Sequence, residues 1–309
     1  MPRPFRFSAQ IQTPTSGREW AEQARKVEGL GYSALTMADH FGDQLAPIAA
    51  LMAAADATTT LRIGALVHGN DYRHPLILAK EAATLDLLSD GRLELGLGAG
   101  WMRTDYEQSG MPYDPPKVRV DRFEEALTVI KGLMADGPFT FEGRHYTITG
   151  HDGLPKPKQR PHPPIVIGGG GRRVLSIAGR EADIVSINPN LRDGTGGAEI
   201  APNIVPAMTT QKIAWVREAA GDRFDRIELH SLIGFCMFTD DPMSVASGMA
   251  GPFGVSPDEA LHVPVLLIGT VDSMVEELQH RREEWGISYL TIEGPWEEFA
   301  PVVSRLAGT

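Results

Sequence analysis

The segment Arg92–Asp105, RLELGLGAGWMRTD, decides how the rest of the chain is read. Leucine alternates with Glu and Gly as in a buried strand, and Gly96, Gly98 and Gly100 strip its end of side chains, so that a flat ligand can approach the backbone. The same residues argue against a dinucleotide-binding fold. In Gly96-Leu97-Gly98-Ala99-Gly100-Trp101 an indole stands where the G-x-G-x-x-G fingerprint needs its third glycine for close helix packing.

Outward from this strand the chain alternates strands and helices. Before it, Phe5–Ile11, Ser33–Phe41 and Leu61–Gly69 read as strands, and helices run from Ser16 to Leu30, Pro47 to Thr59 and His74 to Ser89. After it, a turn-rich loop at Met111–Pro116 leads to an amphipathic helix over Val118–Ala135. Phe139–Thr149 reads as a hairpin around Glu142-Gly143, an excursion within the fold and not a domain boundary. Ile165–Ile167, Asp183–Ile187, Ile227–Phe238 and Ile287–Ile292 supply four more strands, with an insertion of short helices at Thr239–Leu261. Eight strands alternating with helices over about 300 residues predict a single (β/α)8 TIM barrel with insertions, spanning residues 1–309.

A barrel of this kind carries its chemistry at the C-terminal ends of its strands. The candidates are therefore Asp39-His40, His68 to Asp71, Gly98 to Trp101, Gly168 to Arg172, and Asn188. His40 is an imidazole placed to exchange a proton near neutral pH, or a cap on a strand end. Gly168, Gly169, Gly170 and Gly171 before Arg172 form a turn whose bare N–H groups, with the following helix N-terminus, can cradle a phosphate. The third-strand end, Ala65-Leu66-Val67-His68-Gly69-Asn70, reads as an ordinary buried strand end in preference to a bulge. Trp101 either walls a pocket or packs a loop. His145, His151 and His162 lack metal-ligand spacing and read as surface residues, so no metal is expected; Cys236, in an apolar strand, reads as core.

Composition bounds the partners. A net charge of -11 argues against nucleic acid and anionic membranes, which need a dense basic face. One cysteine excludes an intramolecular disulfide, and the opening MPRPFRFSAQIQ lacks the apolar region of a signal peptide, so the expectation is a cytoplasmic protein.

With these residues assembled, the chain resembles the luciferase-like monooxygenase superfamily, in particular its branch of F420-dependent oxidoreductases. The carrying segments are ADHF at Ala38–Phe41, LRIGALVHGNDYRHP at Leu61–Pro75, the run from Ala79 to Glu107, RVDRFEEAL at Arg119–Leu127, and PIVIGGGGRRVLSIAGREAD at Pro164–Asp183. The resemblance implies a barrel that holds a deazaflavin (coenzyme F420) or FMN at its rim, commonly in a homodimer, with an F420 or flavin reductase as a partner. It implies a non-prolyl cis peptide in a bulge near Ala65-Leu66, with Val67 and His68 following. Asp39, Gly98, Ala99, Gly100, the Gly168–Gly171 turn, Arg172 and Asn188 would surround the cofactor, His40 would serve as acid or base, and Trp101 would line the substrate pocket. Sugar-phosphate dehydrogenases of the superfamily carry a Glu where this chain has Trp101, which speaks against that substrate class. The implied activity is hydride transfer between reduced F420 and an activated C=C, C=N or C=O. The alternatives are an FMN-dependent monooxygenase and a non-catalytic flavin-binding protein.

Overall fold

A computed structural model describes residues 2–11, 16–191, 193–196 and 198–309 of the chain. The first units are β1 (Arg6–Gln10), α1 (Gly17–Gly29), β2 (Ala34–Met37), α2 (Pro47–Ala57), β3 (Arg62–Ala65), β4 (His68–Gly69) and α3 (Pro75–Leu88). Next come β5 (Leu93–Gly98), α4 (Arg103–Ser109), α5 (Pro116–Met134), and the hairpin β6 (Phe139–Glu142) and β7 (Thr147–His151). The chain continues with β8 (Ile165–Gly169), α6 (Arg172–Glu181), β9 (Ile184–Ile187), α7 (Pro206–Ala220), β10 (Glu228–Ile233) and β11 (Phe235–Phe238). It ends with α8 (Pro242–Phe253), α9 (Pro257–Leu261), β12 (Leu266–Gly269), α10 (Val271–Trp285), β13 (Ile287–Glu293) and α11 (Ala300–Leu306).

The main sheet runs β3-β2-β1-β13-β10-β9-β8-β5-β4, and β3 also pairs with β5, so it closes into an eight-stranded parallel (β/α)8 barrel. The helices face the outward column of each strand. Phe7 and Ala9 of β1, Leu35 of β2, Leu95 of β5, and Leu290 and Ile292 of β13 all join the large core beneath the helical ring. On β1 and β13 the inward column is polar. Register pairs Arg6 with Tyr289, Ser8 with Thr291 and Gln10 with Glu293, stacking three layers from the bottom of the barrel to its top.

Each layer is bound by its own chemistry. Arg6 lies 4.0 Å over the Tyr289 ring and donates to Glu94 at 2.7 Å and to Glu228. Arg62 also donates to Glu94, at 2.8 Å. Burial opposes the charge on Glu94, but the two guanidiniums outweigh it and hold the carboxyl below its ordinary range. In the layer above, His230 bridges Ser186 at 2.8 Å and Thr291 at 2.7 Å, and burial pushes the imidazole down to about 3.

Three expectations change. The third strand does not run straight from Leu61 to Gly69: Gly64 pairs with Glu94 and His68 with Leu97, so four steps on one strand meet three on the other. One residue is extra, which makes a bulge, and the Leu66-Val67 peptide within it is cis. The apolar run Ile227–Phe238 is two strands broken at Gly234; β11 leaves the barrel to pair with β12, a strand the sequence reading missed. His145 and His162 are half-buried, not surface residues, whereas His151 is exposed. Cys236 is half-buried against the core, and burial pushes its thiol to about 12, unsuited to a nucleophile.

Candidate active site at the barrel mouth

The glycines of β5 have a different purpose from the one expected of them. A Cβ on Gly96 would overlap the Ala65 carbonyl oxygen, and one on Gly98 would sit 2.6 Å from the Val67 side chain. The bulge itself fills the space that the missing side chains leave. Val67 also approaches the Cβ position of Gly168 from the other side, at 3.5 Å, so the bulge packs between the ends of β5 and β8. The stripped strand end is thus a seat for the bulge, Gly96 facing its backbone and Gly98 the Val67 side chain.

Asp39 and His68 brace that bulge. Arg73 donates to both Asp39 oxygens, at 2.9 and 3.1 Å, and lies 3.0 Å from His68 Nδ1, while the Gly69 amide donates to Asp39 at 3.1 Å. Burial opposes ionisation of Asp39, but His68 and Arg73 outweigh it, and the carboxyl is held well below its ordinary range. Both oxygens being engaged by protein donors, Asp39 acts on the mouth by fixing the bulge. Arg73 is a residue the sequence reading did not single out, although it lies in the quoted segment LRIGALVHGNDYRHP.

His40 follows β2 with its side chain partly exposed. Its Nδ1 lies 2.7 Å from Asp105 Oδ2, which also accepts from the Tyr72 hydroxyl at 2.8 Å. An Nδ1–H pointing at this carboxylate leaves Nε2 as the nitrogen for proton exchange. Asp105 is nearly buried in the first turn of α4, where a negative charge also suits the helix dipole. Trp101 meets His40 edge-on, with ring centroids 5.5 Å apart and planes at 88°, and its carbonyl accepts from Tyr113. Its ring thus lies against His40, and its backbone carbonyl ties it to the Tyr113 segment of the loop after β5.

A second set of contacts locks that loop. Asp71 accepts from Tyr106 at 3.0 Å and from Arg122 of α5 at 2.7 Å, and Arg122 reaches on to Asp114. Gly100, at a φ of 74°, allows the turn that brings its carbonyl under the buried Arg119 guanidinium. Between β5 and the expected loop at Met111–Pro116 lies a short helix the sequence reading did not give, α4, which brings Asp105 to His40.

The glycine turn after β8 divides into two parts. A Cβ on Gly170 would overlap the carbonyls of Asn188 and Pro189, and one on Gly169 would sit 2.5 Å from Val174, so these two glycines answer to packing. Gly171 is different. It is the N-cap of α6, with extended backbone, no side-chain cap and no atom within 3.6 Å of a Cβ, so the first amides of α6 lack a capping side chain. Beside it Asn188 accepts from Ser186, and a Cβ on Gly168 would meet its amide nitrogen at 2.9 Å. Lys212, buried, donates to the carbonyls of Asn188 and Asn203, and burial pushes its ammonium down to about 8. Arg172 points its exposed side chain at Glu218 of α7, and Arg173 pairs with Asp121 and Glu124 of α5. Neither arginine is an uncompensated cation beside the turn.

Two more groups close the mouth. Glu293 and Gln10 end the inward columns of β13 and β1, a position that the rule about strand ends would have named had it been applied to the first and last strands.

The family model described as luciferase-like monooxygenase matches residues 3–225. An FMNH2-dependent dimethylsulfone monooxygenase of Pseudomonas putida is 32% identical over 180 residues, covering 58% of this chain and 47% of that protein. An F420-dependent glucose-6-phosphate dehydrogenase of Amycolatopsis mediterranei is 30% identical over 174 residues, covering 54% and 52%. The matches thus span about half the length of each relative. Among solved structures, the F420-dependent tetrahydromethanopterin reductase of Methanopyrus kandleri superposes with a TM-score of 0.77 at 18% identity, over 97% of both chains.

Proposed function

The chain belongs to the luciferase-like monooxygenase family, and from that premise we propose that it is an F420-dependent oxidoreductase acting on an activated C=C, C=N or C=O of a small organic substrate. The observation that carries the reading is the pair His40–Asp105, a partly exposed imidazole fixed at Nδ1 at the same end of the barrel as the bulge and the uncapped N-terminus of α6. When bound, the deazaflavin supplies a hydride. The protein then has to hold the ring, exclude water and handle one proton.

The residues present suit such a cofactor. Backbone amides at Gly171 and the start of α6 are donors for its phosphate, helped by the helix dipole. The bulge at Ala65–Val67, backed by Gly96 and Gly98, gives the ring a firm support, because a packed backbone cannot yield as a side chain can. His40 takes or gives the proton at Nε2, and Asp105 keeps its ring from turning. Trp101 excludes water on one side of His40 and leaves no carboxyl where the sugar-phosphate dehydrogenases have one, which favours a less polar substrate.

The monooxygenase relative favours FMN as the second reading. A titration of cofactor-free protein with F420 and FMN, followed by a screen for oxidation of the reduced deazaflavin, separates them. Tighter binding of FMN than of F420 would overturn the first reading. We read the working unit as a cytoplasmic homodimer supplied by an F420 or flavin reductase.

A further inference from the structure

The barrel interior holds two glutamates in very different company. Glu94 lies deep in the barrel between Arg6 and Arg62 and hydrogen-bonds the Tyr289 hydroxyl at 3.0 Å. Glu293 is the last residue of β13, and its inward column, Tyr289, Thr291 and Glu293, is fixed by the register with β1. That places its carboxyl at the top of the interior, in the mouth where His40 stands. No cation pairs with it among the described residues. Its neighbours there are the Gln10 side chain from β1, Gly234 after β10, whose Cβ position is 4.0 Å from Glu293 Oε2, and His40 from the end of β2. His40 is the titratable group among them.

Gln10 adds an independent sign. Its side chain is 8% exposed, and its Oε1 has no hydrogen-bond partner. An orphaned buried acceptor is costly unless a donor meets it in some state of the protein. A protonated Glu293, with a half-turn of the Gln10 amide, supplies such a donor; an ionised one accepts from the amide N–H instead. The pair can accommodate either state of the carboxyl.

We propose that Glu293 is a second acid–base residue of the site, a neutral carboxyl that hands its proton to the substrate. This rests on the oxidoreductase reading above. The Glu293 O–H bond breaks as the substrate atom closes a new bond to hydrogen with its own electron pair. The hydride and its two electrons would come from the bound reduced deazaflavin, and solvent would return a proton to the carboxylate. Burial favours the neutral carboxyl and raises its proton affinity, with Gln10 and His40 opposing. His40 then orients the substrate or, through Nε2, relays the solvent proton back to the carboxylate.

The test has two arms. Infrared difference spectra of the protein alone, titrated between pH 4 and 8, should show a protonated carboxyl persisting above the ordinary glutamate range near 4.3, and Glu293→Gln should remove that signal. In the holoenzyme, Glu293→Gln should lower kcat at least about tenfold, flatten the alkaline limb of the pH profile, and leave the F420 Kd within about twofold; Glu293→Asp should recover part of the rate. Absence of the protonated signal, or a Glu293→Gln enzyme with unchanged rate and pH profile, overturns the proposal. A wild type that binds no F420 would instead defeat the oxidoreductase reading, and the infrared arm would still decide whether Glu293 keeps its proton.

Discussion

His40 could be picked out by its place after an apolar strand, because the position of strand ends in a barrel is readable from the alternation of elements. Asp105 could not. Its partnership with His40 spans 65 residues and depends on the angle at which α4 leaves Gly100. We expect His40→Ala to lower turnover by about a hundredfold or more with cofactor affinity nearly intact, and Asp105→Asn to lose much of the same factor. Because the two act as a unit, the double variant should be about as slow as His40→Ala alone, and a kinetic double-mutant cycle reads this directly. Additive losses would separate the two residues. Val67 and Gly98 form a steric pair of the opposite kind. Gly98→Ala should cost about 1–3 kcal/mol by pressing on Val67, and Val67→Ala in that background should recover part of the loss in a urea titration.

Among the elements, the glycine turn before α6 shows how one motif can hold two functions. Four glycines in a row suggest a phosphate cradle, yet Gly169 and Gly170 are required by the approach of Val174 and of the β9 end, and only Gly171 opens on the helix N-terminus without a close neighbour. Gly171→Asp should therefore move stability and binding in opposite directions. An aspartate is a preferred N-cap, so melting temperature should hold or rise slightly, whereas its charge should repel the cofactor phosphate and weaken affinity by tenfold or more. Calorimetry of the protein alone and a cofactor titration check both halves; parallel changes would remove the α6 terminus from cofactor binding. The break at Gly234 is the contrasting case. Strand propensity runs unbroken through Ile227–Phe238, and whether such a run stays in the barrel depends on β12 arriving from 28 residues further on.

For the whole molecule, the polar interior makes stability depend on pH. Folded His230 binds its proton only near pH 3, because burial between Ser186 and Thr291 disfavours the charged ring, whereas the unfolded chain binds it near 6.5. The unfolded state holds more protons between those values, so the stability His230 contributes is present above pH 6.5 and is lost as pH falls toward 3. Between pH 6.5 and 5, most carboxylates remain ionised. Wild type should there lose up to about 1.4 kcal/mol per pH unit more than His230→Gln, as measured by denaturant titration at each pH. Equal slopes would mean that water reaches the imidazole. Among the described residues, no helix is long and apolar enough to cross a membrane.

The sequence by itself determined the barrel, because eight apolar runs separated by helices bury their hydrophobic faces in few other ways, and a barrel fixes which residues reach its mouth. It also marked the glycines of β5 and of the β8 turn, since a missing side chain is visible without coordinates. What those glycines accommodate was settled only by tertiary structure. The extra residue in the third strand, the bulge seated on Gly96 and Gly98, the bracing of Asp39 by Arg73 and the delivery of Asp105 to His40 all depend on strand register and on loops meeting across the mouth. Such contacts are decided by packing between segments distant in the chain, and local periodicity carries no record of them.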